Sequence, residues 1–299
     1  MTGEAASQSP RRRKPLRVIL WIVFGGVLLA FLLNVLWPDL DLSDEDRIAL
    51  IRVEGVILDS KETVGELKKF GESSTVKAIV LRIDSPGGGV VPSQEIHDAV
   101  KRVRNKNNKT VVASMGTVAA SGGYYIASAT DRIMANPGTL TGSIGVIMEL
   151  ANFQGLFKKL GVENVVIKSG RYKDIGSPFR KMTPEDRRIL QAVMDDVHRQ
   201  FIEAVAEGRS LDIGEVRPLA DGRIFTGRQA KDLMLVDELG NLDDAIRLAA
   251  DMVGIEGEPK VVEPGKPFSL RRLIGSHLFG SMPRLGVQPS VRLKYLMAF

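Results

Sequence analysis

Ser121 and Lys173 are the residues whose type and setting could do chemistry together. Ser121 lies in ASGGYYIA (120–127), among small residues and ahead of an apolar stretch of helical character. Small neighbours let a substrate carbonyl approach a hydroxyl, and a helix start favours developing negative charge. The local sequence also allows Ser121 to be only a helix cap, and it is not the G-x-S-x-G elbow. A serine nucleophile needs a base. The three histidines, His97, His198 and His277, read as solvated or partly packed surface residues. A lysine serves instead if burial brings its pKa towards neutrality. Lys173, in SGRYKDIGSP (169–178), is the best placed, with a salt bridge to Asp174 as the competing role.

Two further glycine-rich segments accompany them, DSPGGGV (84–90) and TGSIGV (141–146). A triple glycine between a strand and a helix exposes backbone N–H groups, enough for a phosphate cradle or an oxyanion hole. Neither G-x-G-x-x-G nor G-x-x-x-x-G-K-[ST] occurs, and Gly222-RIFT-Gly227 lacks the lysine and hydroxyl, so the phosphate reading is weak. Without Cys there is no disulfide framework and no Cys-based zinc site, and no cofactor or metal is expected.

The elements that must position these groups are readable from periodicity. Strands are predicted at 48–57, 76–84, 110–115, 131–135 and 163–169. Helices are predicted over 93–105, after Ser121, from Thr183-Pro184-Glu185-Asp186 onward, and over 242–252. Leu190, Met194, Val197, Phe201 and Val205 form one apolar face of the third. Strands alternating with helices predict an α/β fold with a mainly parallel sheet.

The 299 residues carry a net charge of +5, unevenly spread. Residues 1–17 hold +4 and residues 257–299 hold +5, leaving the globular part between them at −4. That balance argues against a nucleic-acid partner. Val18 to Trp37 is an uncharged run of twenty residues, long enough to span the hydrocarbon core as an uncleaved anchor. Basic residues precede it and acidic ones follow, which predicts a cytoplasmic N-terminus and an extracytoplasmic catalytic domain. The predicted organisation is a basic tail (1–17), a transmembrane helix (18–37), a linker (38–46), a globular domain (47–256) and a flexible tail (257–299).

Taken together, DSPGGGV, ASGGYYIAS, NPGTLTGSIGVI, SGRYKDIGSPFR-MT and DGRIFTGRQAKDLMLVDELG, in that order, resemble the signal peptide peptidases of the SppA type in their short, single-unit form. The resemblance covers roughly residues 48–252. It implies repeated ββα units similar to ClpP and crotonase, and a Ser–Lys dyad that hydrolyses membrane-derived peptides such as signal peptides. Carried onto this chain, Ser121 is the nucleophile, Lys173 the general base, Gly88 an oxyanion donor and Ser143 the residue that holds the lysine amine. It further implies a homo-oligomeric ring of four or eight, with the lysine supplied by a neighbouring protomer, and the membrane as partner. Met234 departs from the pattern, standing where glycine is more usual. The terminal VRLKYLMAF is similar to the apolar ends of bacterial members, and is expected to enter the enzyme's own groove. Rival readings are a stomatin-cleaving type of membrane serine protease, an acyl-CoA hydratase or isomerase, and a non-catalytic scaffold on the same fold. An extracytoplasmic site without CoA and without an acid pair disfavours the hydratase.

Overall fold

The computed structural model describes residues 19–29, 45–265 and 294–296. Residues 19–29 form helix α1, within the span predicted to cross a membrane; the rest of that span, and His277, lie outside the described residues. Among the described residues no helix is long and apolar enough to cross a membrane. Helix α1 belongs to a separate unit from the globular part, which begins at Glu45.

The globular part is a sheet with helices on both faces. In chain order it runs β1 (Arg47–Glu54), α2 (Lys61–Glu72), β2 (Val76–Ser85), β3 (Gly87–Gly89), α3 (Val90–Asn107), β4 (Thr110–Ala120) and α4 (Gly122–Ala127). Strands β5 (Arg132–Ala135) and β6 (Leu140–Gly142), helices α5 (Gln154–Lys159), α6 (Pro184–Arg209) and α7 (Ile213–Val216), and strand β7 (Ile224–Thr226) follow. Helix α8 (Gly227–Asp232), β8 (Glu238–Leu239), α9 (Leu242–Val253), β9 (Lys260–Val262) and β10 (Lys294–Leu296) complete it. The main sheet has the order β7-β6-β4-β2-β1-β9, with β5 and β8 branching from β4. Its pairings are parallel except β6 with β7.

Side chains alternate across a strand, so each strand feeds two cores. Ile48, Leu50, Ala78, Val80 and Val112 face α9, where Ala245, Ala249 and Ala250 keep the helix close. The intervening residues, among them Ala49, Ile51, Ile79, Leu81 and Ala113, pack beneath α2, α3, α4 and α6. The predicted start of α6 is realised: Thr183 and Asp186 form a reciprocal capping box ahead of Pro184.

Strand β4 is the element that builds the site. Its first half pairs with β5 and its second half with β6, while β2 lies along its other side. At the break, a Cβ on Gly116 would lie 2.7 Å from the Asp84 carboxyl carbon, and Asp84 accepts the Val118 N–H instead. Ser121 thus emerges at the end of β4 beside the end of β6.

Two sequence expectations change. Residues 163–169 form no strand: none of the described strands pairs with this run, and Ile167 is 98% exposed. Within the tail expected to be flexible, β9 extends the main sheet beside β1, and β10 pairs with β3.

Candidate active site

Ser121 occupies the N-cap position of α4, yet its side chain makes no cap hydrogen bond. The capping role is therefore not the one it plays. Its backbone is at φ 54° and ψ −116°, a sparsely populated region for a residue with a Cβ. Such a conformation costs on the order of 1–3 kcal/mol and persists only where the surroundings enforce it. They do so here: the Ser121 N–H donates to the Gly142 carbonyl at 2.8 Å, and the Ser121 carbonyl accepts from Tyr125. The residue is 1% exposed and its Oγ has no hydrogen-bond partner among the described residues. A buried hydroxyl without a partner forgoes about 1–3 kcal/mol. Strain and an unsatisfied hydroxyl at one residue mark a group held for reaction rather than for stability.

Ser143 stands at the matching place on the neighbouring strand. Ala120 is the register partner of Gly142, so Ser121 and Ser143 follow adjacent ends of two parallel strands, about 5 Å apart. Ser143 also has positive φ, 51°, and its N–H donates to the Arg223 carbonyl at 2.8 Å. A cavity of about 710 Å³ opens beside it, lined by Val146, Gln191, Met194, His198 and the turn at Gly222 among others.

The triple glycine supplies the third side. The Gly87 carbonyl accepts from the Ile57 N–H, and the Gly89 N–H donates to the Ile57 carbonyl. A trans peptide points its C=O and the following N–H in opposite directions. The Gly88 N–H therefore faces away from Ile57, towards the open edge of β3. A Cβ on Gly122 would lie 3.3 Å from the Gly88 nitrogen, so the start of α4 adjoins the same edge. Two backbone N–H groups, from Gly88 and Gly122, border one small space, which suits an oxyanion.

That edge is occupied by β10. It pairs antiparallel with β3, Tyr295 opposite Gly88, as an added peptide strand would. The Tyr295 ring is fully buried, stacked on Tyr125 at 5.2 Å and against Phe201 at 4.7 Å, and its hydroxyl donates to the Val197 carbonyl at 3.3 Å. Gly87, at φ 97°, must lack a side chain because a Cβ there would sit 2.1 Å from the Tyr295 carbonyl oxygen. The carbonyl of Tyr295 thus lies against the corner made by Gly87, Gly88 and Gly122. His97 closes the aromatic pocket behind Tyr125 at 4.7 Å. It is 5% exposed, more buried than the solvated or partly packed surface residue expected in this amphipathic helix, because α3 turns that face onto α4. Burial pushes its pKa down, Asp98 opposing weakly.

Ser121, Ser143 and Gly88 converge; Lys173 does not join them within the chain. It is exposed, in a turn where its N–H donates to the Gly170 carbonyl. Nor does it make the expected bridge to Asp174. That carboxylate bonds Arg180 and Lys168, which hold it down to about 2. Arg180 reaches on to Asp186 and so ties the Lys173 turn to the start of α6. Between Phe153 and Met182 large apolar side chains lie open, among them Leu156, Leu160, Val165 and Phe179. The groove occupant and the aromatic pocket had only one signal in the sequence, the apolar VRLKYLMAF ending.

An α/β fold whose glycine-edged groove pairs an extended peptide above a strained serine defines a peptidase of ClpP-like architecture. The Clp protease profile matches residues 46–139, and that of Peptidase family S49 matches residues 103–256. A protein of Synechocystis named "Putative protease" is 45% identical over 264 residues, 86% of this chain and 94% of its own length. One of Enterococcus faecium named "Putative signal peptide peptidase SppA" is 38% identical over 213 residues, 67% of this chain and 62% of its own. "Protease 4" of Haemophilus influenzae is 34% identical over 217 residues, and only 35% of its length is covered. The chain belongs to peptidase family S49, and is a serine protease that acts on peptides.

Proposed function

We propose that this chain is a membrane-anchored endopeptidase that degrades cleaved signal peptides and similar membrane-derived peptides through Ser121 and Lys173. The observation that carries the reading is Ser121 itself: strained, buried and without a partner for its Oγ, at the foot of a groove holding an extended strand. A substrate adds as a strand to β3, its scissile carbonyl where the Tyr295 carbonyl lies. The Ser121 Oγ attacks that carbon as the neutral Lys173 amine takes the hydroxyl proton. The oxyanion rests on the N–H groups of Gly88 and Gly122. Lys173 returns the proton to the leaving amine, and water, deprotonated by the same amine, releases the acyl group and restores Ser121.

Lys173 comes from a neighbouring protomer and meets Ser143 through the cavity beside it. Two observations support this: the Ser121 Oγ has no partner among the described residues, and the excursion bearing Lys173 leaves its apolar side chains uncovered. A ring of four or eight would cover them. The uncharged run 18–37, with basic residues before it and acidic ones after, supports a single anchor with the N-terminus in the cytoplasm and the peptidase outside. The apolar end of the chain is a pseudo-substrate that the enzyme trims; Ser121→Ala should keep its full mass while the active chain shortens.

The test is complementation. Ser121→Ala and Lys173→Ala should each lack peptide hydrolysis, and co-assembly of the two chains should restore part of it. Inactive mixed assemblies would refute a shared dyad. Full activity in either single variant would remove that residue from the chemistry.

A further inference from the structure

The segment DGRIFTGRQA (221–230) contributes no group to the reaction above, yet it lies directly behind both serines. We propose that Phe225, braced by the Asp221–Arg223 turn, is a positioning residue: it fixes the end of β6 and, through it, the placement of Ser121 and Ser143. The inference rests on the reading of Ser121 and Ser143 given above.

Strand β6 is three residues long and β7 is the edge of the sheet, so β6 has β7 alone behind it on that side. The pair runs antiparallel with Thr141 opposite Phe225 and Gly142 opposite Ile224. A Cβ on Gly142, itself at φ 78°, would lie 2.5 Å from Cδ2 of Phe225, so the ring bears directly on the Gly142 backbone. Gly142 in turn accepts the Ser121 N–H through its carbonyl. One residue on, the Arg223 carbonyl accepts the Ser143 N–H. Both serines, at positive φ, are thus held through their N–H groups by the end of β6 and by the residue that leads into β7.

The brace is anchored at both ends. Asp221 accepts from the Arg223 backbone N–H at 3.1 Å and from its guanidinium at 2.8 Å, which sets the direction of the Arg223 carbonyl. At the other end Thr226 and Gln229 form a reciprocal cap on α8, and Gly227 lies so close to Asn136 that a Cβ would fall 2.1 Å from its carbonyl oxygen. Phe225 is buried between these anchors. Ser143, a residue with a Cβ at φ 51°, persists there only where the surroundings over-determine it, and Phe225, seated against Gly142, contributes to that constraint.

The test uses the full chain with Phe225→Ala, Phe225→Leu and Asp221→Ala, assayed by peptide hydrolysis, thermal unfolding and crystallography of each variant. Phe225→Ala should lower kcat at least tenfold with KM changed less than twofold, in protein that is folded at the assay temperature, and Ser143 should leave positive φ. Phe225→Leu, which still fills the space against Gly142, should recover most of the rate. Asp221→Ala perturbs the brace from the exposed side and should give a smaller loss of the same kind, even if Phe225→Ala does not fold. An unchanged kcat with Ser143 still at positive φ overturns the proposal, as does a loss of rate that only tracks the folded fraction. Ser143→Ala separates the two claims. If it keeps full activity, the role given to Ser143 fails, while the Ser143 backbone and the Phe225→Leu recovery still decide the role of Phe225.

Discussion

Tyr295 holds the C-terminal strand in the groove, and its removal should empty the groove. The ring is wholly buried between Tyr125 and Phe201. Cutting a buried aromatic back to alanine costs about 3–5 kcal/mol. Ordering the three paired residues costs about 1–2 kcal/mol each, which the strand hydrogen bonds only partly offset. The ring therefore supplies most of what keeps the strand in place. A competitor in the groove raises the apparent Kd of a peptide by the reciprocal of the fraction of time the groove is empty. In a Ser121→Ala background, which cannot trim itself, the added change Tyr295→Ala should tighten binding of a fluorescent peptide at least tenfold, read by anisotropy. Equal affinity with and without Tyr295 would refute the groove as the peptide site, or the strand as its occupant.

Met234 sits at φ 60° with an exposed side chain. Met234→Gly should raise the free energy of unfolding by about 0.5–1 kcal/mol in denaturant titrations, since it removes a Cβ penalty and loses little burial. His97 is buried beside Tyr125, facing Asp98, Lys101 and Glu207, and its pKa is depressed. The unfolded chain then binds the proton more readily than the folded one. Its share of stability is present above the unfolded value of about 6.5 and is lost as pH falls through the depressed folded value. The midpoint of thermal unfolding should drop as pH falls below about 6.5, and His97→Phe should flatten that drop. A slope that persists in His97→Phe would assign it to other groups.

Local order was largely legible in the sequence. Strands β1, β2, β4 and β5 carry β-branched or apolar runs that end at glycine, proline or charge, and α6 announces itself through Thr183-Pro184-Glu185-Asp186. Ser121 and the glycine-rich segments that hold Gly88 and Ser143 stood out by composition, while the roles given to Gly88 and Ser143 came from the family resemblance alone. Three things were not. Residues 163–169 have the composition of a strand, but pairing is a property of the neighbour, and none of the described strands lies beside them. His97 lies in a charged helix, and only the packing of α3 on α4 decides that it is buried. The bracing of Ser143 by Phe225 depends on a pairing between residues some eighty apart, about which local pattern carries no information.

The central claim is that Ser121 is the nucleophile. Its most direct test is mass spectrometry of the full chain after reaction with a fluorophosphonate, which forms a covalent phosphonyl ester at an activated serine. The account predicts a single adduct on the peptide containing Ser121, and none in Ser121→Ala or, at short times, in Lys173→Ala. An adduct that survives in Ser121→Ala, or that maps to Ser143, would contradict it.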